Sequence, residues 1–189
     1  MIGEPFAEVL SAAQAGGETA FAVLWRELQP GLLRYLRVVV VAAAEDVASE
    51  TWLEVAKGLT RFSGDELGFR AWLFTIARHR ALDWARREAR RPTTPVSAEV
   101  LEGRASSDDP ESEAVERLST EAALALIARL PRDQAEVVTL RSVAGLDVAA
   151  VARIVGKRPG TVRVLAHRGL RHLAELLVSE QSVRGPVTP

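Results

Sequence analysis

Apolar residues recur along this chain at helical spacing. Phe21, Leu24, Trp25 and Leu28 stand at i, i+3, i+4 and i+7, one face of a helix. Pro30 suits the first position of a second helix carrying Leu32, Leu33 and Leu36. A third helix is predicted from about Ala44 to Leu59, with Val47, Thr51, Val55 and Leu59 on one face. Ser63-Gly64-Asp65 is a turn signal. A long fourth helix then runs from about Gly68 to Arg90. Its core stripe is Phe69, Leu73, Ile76, Ala77 and Trp84, with Trp72, Phe74 and Leu82 outside it. Only Val38–Val41 reads as strand-like, and it sits in helical surroundings.

The periodicity stops at Arg90-Arg91-Pro92. The next stretch is rich in Pro, Ser, Gly and acids, almost without large apolar residues. Such a segment cannot offset its ordering entropy by burial and reads as a flexible linker. Beyond it, Ser119 or Thr120 caps a helix that ends at Leu130. Asp133 and Glu136 have the spacing of a capping box for the next helix, and Gly145 suits its stop. Asp147 is placed to cap a short helix over Val148–Val155, with Gly156 at its C-terminal turn. Pro159 starts a last helix that reaches about Val178. The expectation is an all-α chain of two small helical domains. A tail (1–17) precedes an N-terminal bundle (18–91), an acidic linker (92–118), a C-terminal domain (119–178) and a second tail (179–189).

A short helix, a turn containing Gly and a longer basic helix form a helix-turn-helix pattern. At 3.6 residues per turn, Val162, Ala166, Leu170, Leu173 and Leu177 make the core stripe of the last helix. Thr161, Val164, Arg168 and Arg171 lie opposite, flanked by Arg163 and His167. Two arginines centred on an outer face, with basic flanks and Lys157 and Arg158 in the turn, suit a DNA major groove. Arg pairs bidentately with guanine, and the flanking bases hold phosphates.

Charge sharpens this picture. The 189 residues carry 24 Lys and Arg against 25 Asp and Glu, a formal net charge of −1. By segment the charge is uneven: residues 1–17 are at −2, 18–91 at +2, 92–123 at −6 and 124–189 at +5. Two neutral-to-basic blocks flank an acidic strip, which is a statement about partners. There is no Cys, so disulfides, thiolate zinc sites and cysteine nucleophiles are excluded. Three scattered histidines, His79, His167 and His172, do not make a metal site, and no cofactor is expected. The longest apolar run is seven residues, Val38 to Ala44, where a membrane span needs about 20. The N-terminus lacks the basic region of a secretory signal, so a cytoplasmic protein without membrane insertion is expected.

Two segments of the first block carry candidate chemistry. In Ala44–Trp52, the acids Glu45, Asp46 and Glu50 suit a helix start, and the acid–apolar mixture with Trp52 suits a docking surface. In Phe69–Arg91, seven arginines face only Asp83 and Glu88, interleaved with aromatics. Arginines for phosphates and rings for unstacked bases suit single-stranded nucleic acid. A bundle helix with a solvated basic end explains the same residues. His79 and Asp83, at i and i+4, read as a local pair. No nucleophile–base set and no phosphate-cradling glycine loop is present, so the chain is not expected to be an enzyme.

Together these motifs resemble the extracytoplasmic-function (ECF) sigma factors, the small two-domain class of bacterial RNA polymerase sigma subunits. AEDVASETW resembles the polymerase-docking motif, and FRAWLFTIARHRALDWARRE the promoter-melting helix. LPRDQAEVVTLR followed by GLDVAAVARIVGKRPGTVRVLAHRGLRHL resembles the C-terminal helix-turn-helix domain. The four stand in the family's order across about 160 residues, with an acidic linker between the blocks. Ser49 stands where the family usually has Gln, His79 where Asn is common, and Val164-Leu165 where Ser-Arg is frequent.

The resemblance implies partners and roles. Asp46, Val47, Glu50, Thr51 and Trp52 match positions that dock on the β′ clamp helices of core RNA polymerase, with the β subunit as a further neighbour. The Phe62–Phe69 loop and the start of the fourth helix match the element that captures a flipped base of the −10 non-template strand. Its candidate contacts are Phe62, Phe69, Trp72, Arg78, His79, Arg80, Arg86 and Arg87. The −35 duplex falls to Arg158, Thr161, Arg163, Val164, His167, Arg168 and Arg171. The linker is expected to run toward the RNA exit channel, and an anti-sigma factor is implied as a second partner. A helix-turn-helix regulator that never joins polymerase, or a helical enzyme such as a nuclease, stand as alternatives.

Overall fold

The computed structural model describes residues 5–90 and 120–184. The acidic linker, the Ser119 cap and the extreme termini lie outside the described residues. The described residues form α1 (Phe6–Gln14), α2 (Glu18–Val39), α3 (Ala44–Gly58), α4 (Glu66–Glu88), α5 (120–128), α6 (Arg132–Ser142), α7 (Val148–Val155) and α8 (Pro159–Arg184). Single 3-10 turns, Val41–Ala43 and Leu59–Arg61, adjoin α3 at its two ends. No strand occurs among the described residues, as the all-α expectation requires.

Several local expectations hold and others are corrected. Residues assigned to an N-terminal tail include α1, which buries Phe6, Leu10 and Ala13. Pro30 does not start a helix; it sits inside the 22-residue α2. An interior proline costs about 3 kcal/mol. The buried stripe running through it (Leu24, Leu28, Leu32, Tyr35 and Leu36) outweighs that, at about 1.5–3 kcal/mol per large apolar side chain. Arg34 also donates to the Pro30 carbonyl at 3.1 Å. The Val38–Val41 run ends α2, with Val40 buried and Val38 packed against α5 and α6 residues. α4 starts at Asp65, whose carboxylate accepts from the Gly68 N–H at 2.8 Å.

In the C-terminal block α7 is capped as expected. Asp147 accepts from the Ala150 N–H at 2.6 Å, and Gly156 takes the left-handed conformation at φ +67°. The α6 capping box does not form: Pro131 is the N-cap and no side chain caps the helix. Asp133 pairs with Lys157 at 2.9 Å, and Glu136 is drawn elsewhere by stronger partners. The α8 stripe is also rotated. Val162, Leu165, Ala166, Gly169 and Leu173 face inward, whereas Leu170 and Leu177 are exposed. Gly169 is the reason, because a Cβ there would lie 2.6 Å from Val138 Cγ2. α8 lies close against α6 at that glycine, which leaves Leu170 on the outer side. α8 also continues to Arg184, into the segment expected to be a tail.

The two blocks are packed on each other. α6 lies against α2, and α7 lies against α4. One core cluster runs from Leu24, Tyr35 and Phe74 into Val137, Leu140 and Val151. Phe74, outside the expected stripe, is buried because Tyr35 packs edge-on to it at 5.4 Å. A helix covered from several sides has no single wet face, which defeats a one-stripe reading of α4.

Gly169→Ala should destabilise the protein by about 1–3 kcal/mol through overpacking against the stiff Val138. Gly160→Ala, with nothing within 4 Å of the added Cβ, should stabilise by about 0.4–1 kcal/mol. Denaturant titration of both variants checks the pair, and equal shifts would contradict the close-packing account.

Candidate nucleic-acid interface

The most coherent surface lies on α8. Thr161, Arg163, Val164, His167, Arg168 and Arg171 are all exposed, and Arg158 is exposed in the turn before them. Beneath them Val162 is fully buried, and the His172 Nδ1 sits 2.9 Å from Gln134 Oε1. The outward face is therefore held by an inward face locked to α6. Arg171 pairs with Glu175 at 3.6 Å at a solvated position.

The predicted docking residues divide by burial. Asp46 is exposed and Glu50 partly so, while Val47, Thr51 and Trp52 are buried. Thr51 Oγ1 donates to the Val47 carbonyl at 2.6 Å. The Trp52 indole N–H donates to Gln29 Oε1 at 2.6 Å, and its ring meets Phe21 edge-on at 5.7 Å. Nine consecutive helical residues must point all round the axis, so one motif cannot be all surface. Val47, Thr51 and Trp52 anchor α3; Asp46 and Glu50 face outward.

The predicted −10 residues form two groups. Phe62, Phe69 and Trp72 make one aromatic cluster, with Phe62 stacked on Trp72 at 5.1 Å and edge-on to Phe69 at 5.2 Å. Phe69 is fully buried at its centre, whereas Phe62 and Trp72 are half-buried. A Cβ on Gly58 would lie 2.8 Å from the Trp72 ring, so glycine there makes room for it. His79 is exposed. The arginines lie farther along α4, beside an open groove of about 620 Å³ against α3 lined by Glu50, Leu53, Glu54, Arg80, Asp83 and Arg86. Each is held by an acid: Arg80 by Glu54 at 3.6 Å, Arg86 by Asp83 at 3.1 Å and Arg87 by Glu50 at 3.3 Å.

Arg78 differs from these. Its Nε donates to Glu136 Oε1 at 2.8 Å, and the same oxygen accepts from the Tyr35 hydroxyl at 3.0 Å. Glu136 is buried, so one carboxylate of α6 bridges α2 and α4. Burial, then the nearby Glu136 charge and its hydrogen bond, push the Tyr35 phenol well above its ordinary value of 10.0. Tyr35 was not singled out from the sequence, and Glu136 only as half of a capping box. The D-x-x-E spacing offered Glu136 a local role, and no sequence pattern reports a partner 101 residues away.

Comparison with known proteins bears on what this surface belongs to. Residues 24–91 match the family model for Sigma-70 region 2, and residues 120–173 that for Sigma-70 region 4. The ECF RNA polymerase sigma factor SigD of Mycobacterium tuberculosis is 34% identical over 186 residues, covering 95% of this chain and 87% of SigD. This chain belongs to the ECF sigma factors. BldN of Streptomyces coelicolor, another ECF RNA polymerase sigma factor, is 37% identical over 172 residues; the match covers 90% of this chain but 65% of BldN. The fold also matches the sigma factor RpoE co-crystallised with the anti-sigma factor NepR from Bartonella quintana. That match has a TM-score of 0.56 at 24% identity, over 80% of this chain and 94% of the other.

As a sigma factor the chain directs promoter-specific transcription by RNA polymerase, and the regulator that never joins polymerase is not favoured. Among the described residues of this sigma factor, no helix is long and apolar enough to cross a membrane.

Tyr35 is the chain's only tyrosine, so tyrosinate absorbance reports it alone. Its raised pKa means the folded state holds the phenolic proton more tightly than the unfolded state does. Tyr35's contribution to stability should therefore be fully present below about pH 10 and be lost as pH rises through the window between the two values. Denaturant midpoints across that window should slope downward in the parent. They should lose this contribution in Tyr35→Phe.

Proposed function

We propose that this sigma factor docks on the β′ clamp helices of core polymerase through Asp46 and Glu50 on the outward side of α3. Val47, Thr51 and Trp52 act from beneath, by holding α3 in place. The −10 non-template strand meets Phe62, Trp72 and His79, with Phe69 as the buried floor. Arg78, Arg80, Arg86 and Arg87 serve its phosphates. Extruding a base costs a few kcal/mol, which stacking on an aromatic, worth about 1–3 kcal/mol per base, offsets. The −35 duplex is read by α8, with Arg168 and Arg171 for base edges and Arg158, Arg163 and His167 for phosphates. The observation that carries the reading is the uninterrupted exposed face of α8, locked from behind through Gly169. The chain itself performs no chemistry, since bond formation belongs to the polymerase.

Arg78 cannot serve DNA while it is bound to Glu136. Joining polymerase and promoter therefore requires α6 to leave α2 and α4, and the closed arrangement keeps the free chain off DNA. RpoE was crystallised with an anti-sigma factor, and a partner of that class would act on this chain by holding the closed form.

In vitro transcription with core polymerase on a genomic promoter pool tests the whole reading. Promoter-specific RNA should require both proteins, and failure to form a complex with polymerase would overturn it. Asp46→Arg should weaken polymerase binding while −35 duplex binding persists. Arg168→Ala should cost about 1–3 kcal/mol at one −35 position. A loss uniform across sequences would move Arg168 to a phosphate contact.

Glu136→Leu leaves the Tyr35 hydroxyl and Arg78 without their acceptor, a loss of about 1.5–3 kcal/mol for a charge-assisted bond. Energy transfer between labels on α3 and α8 should fall as the blocks separate. An unchanged distance would contradict the closed-state account.

A further inference from the structure

The loop that leads into α4 is held by a residue outside the region 2 match, which begins at residue 24. Gln14, the last residue of α1, directs its side-chain amide at the Leu59–Arg61 turn. Its Nε2 donates to the Leu59 carbonyl at 2.8 Å and to the Phe62 carbonyl at 2.7 Å. An amide nitrogen has two hydrogens, and both are spent here. The two acceptors bracket the turn that ends the α3 segment; the Leu59 carbonyl also accepts from the Phe62 N–H at 3.1 Å, and Gln14 adds a second donor to it. Phe62 is where the chain leaves helical geometry, at φ −72° and ψ +135°.

Apart from the hydrogen bond of the Phe62 N–H to the Leu59 carbonyl within the turn itself, the other holds on this loop among the described residues act on side chains or come after it. The Phe62 ring rests on Trp72 and Phe69, and Asp65 caps α4. Gly64, at φ +154°, lets the chain turn beside the Phe62 ring. Gln14 holds the backbone on the approach side. α1 makes a second attachment as well, through Phe6, which meets Phe69 edge-on at 5.8 Å. One short helix therefore grips both the main chain before the loop and the ring beneath it. Since α1 also packs on α2 and on that turn, the grip is tied to the rigid core.

We propose that Gln14 is a positioning residue for capture of the −10 base: its two hydrogen bonds fix the Phe62 backbone and so the aromatic wall against which the extruded base is held. The proposal rests on the reading of the Phe62–Phe69 loop as the base-capture element. A hydrogen-bonded pair of backbone carbonyls orients the loop more finely than packing does, so base selectivity, rather than overall stability, is what Gln14 sets.

The test uses full-length chain with core polymerase and short non-template oligonucleotides that carry the promoter's own base or a changed base at the extruded position. Gln14→Met keeps the size and removes both donors. Gln14→Glu turns a carboxylate on two carbonyls. Discrimination between the oligonucleotides should fall roughly ten-fold in the Met variant, the net worth of about one hydrogen bond, and further in the Glu variant. Binding of the −35 duplex should be unchanged in both. Lower thermal stability with full discrimination in both variants overturns the proposal, because a merely structural glutamine behaves that way. Phe62→Leu separates this failure from failure of the underlying reading. Lost discrimination in Phe62→Leu alone leaves the loop assignment standing and removes Gln14 from it. Full discrimination in Phe62→Leu overturns the loop assignment, and the Gln14 proposal with it.

Discussion

The closed arrangement turns on one carboxylate. Glu136 is buried between the two halves of the chain, and a buried charge is costly unless it is paired and hydrogen-bonded. Both of its partners, the Tyr35 hydroxyl and the Arg78 guanidinium, come from the N-terminal block. Apolar burial alone would let α6 slide or rotate on α2 and α4. The carboxylate fixes its position because only one placement satisfies all three polar groups. Away from that centre the contact is softer. Arg70 reaches the Ala144 carbonyl at only 3.4 Å, and its buried Nε has no hydrogen-bond partner.

The same economy governs the arginines of α4. The pairs of Arg86 with Asp83 and Arg87 with Glu50 lie at the surface, where ion pairs contribute little and are screened by salt. Under the proposed role of these arginines, phosphates would displace their acids at small cost. Glu50 is an outward group of α3 and the ion-pair partner of Arg87, so under the proposed roles one side chain would couple engagement of α3 to release of Arg87. A near-zero net charge, in this light, reflects pairing and segregation of charge, not indifference to nucleic acid.

The aromatic cluster links fold to function by a different route. Phe69 is a core residue, yet it forms the floor for the half-buried Phe62 and Trp72. The site is thus an extension of the hydrophobic core to the surface, and its shape inherits the rigidity of the bundle.

Much of this was legible in the chain. The caps of α7, Gly156 at its end and the exposed face of α8 follow from residues within one or two turns of each other, and local sterics decide them. The all-α class and the helix-turn-helix follow from periodicity, because a helix with one wet side must repeat every 3.6 residues. Several of the errors share one cause, which is packing from a second direction. Phe74 is covered by Tyr35, Pro30 is carried by a stripe packed on neighbouring helices, and Leu170 is turned out by the close approach at Gly169. Trp52 and Thr51 belong to a motif matched as surface, yet the helical period puts them inside. By itself, then, the sequence determined the helices, the caps of α7 and the exposed polar residues of α8, since these are set by neighbours in the chain. Only the tertiary structure decided which acid holds Arg78, which apolar residues of α8 are buried and which glutamine steadies the loop. Those contacts join residues 38 to 101 positions apart, and no local preference encodes a partner at that distance.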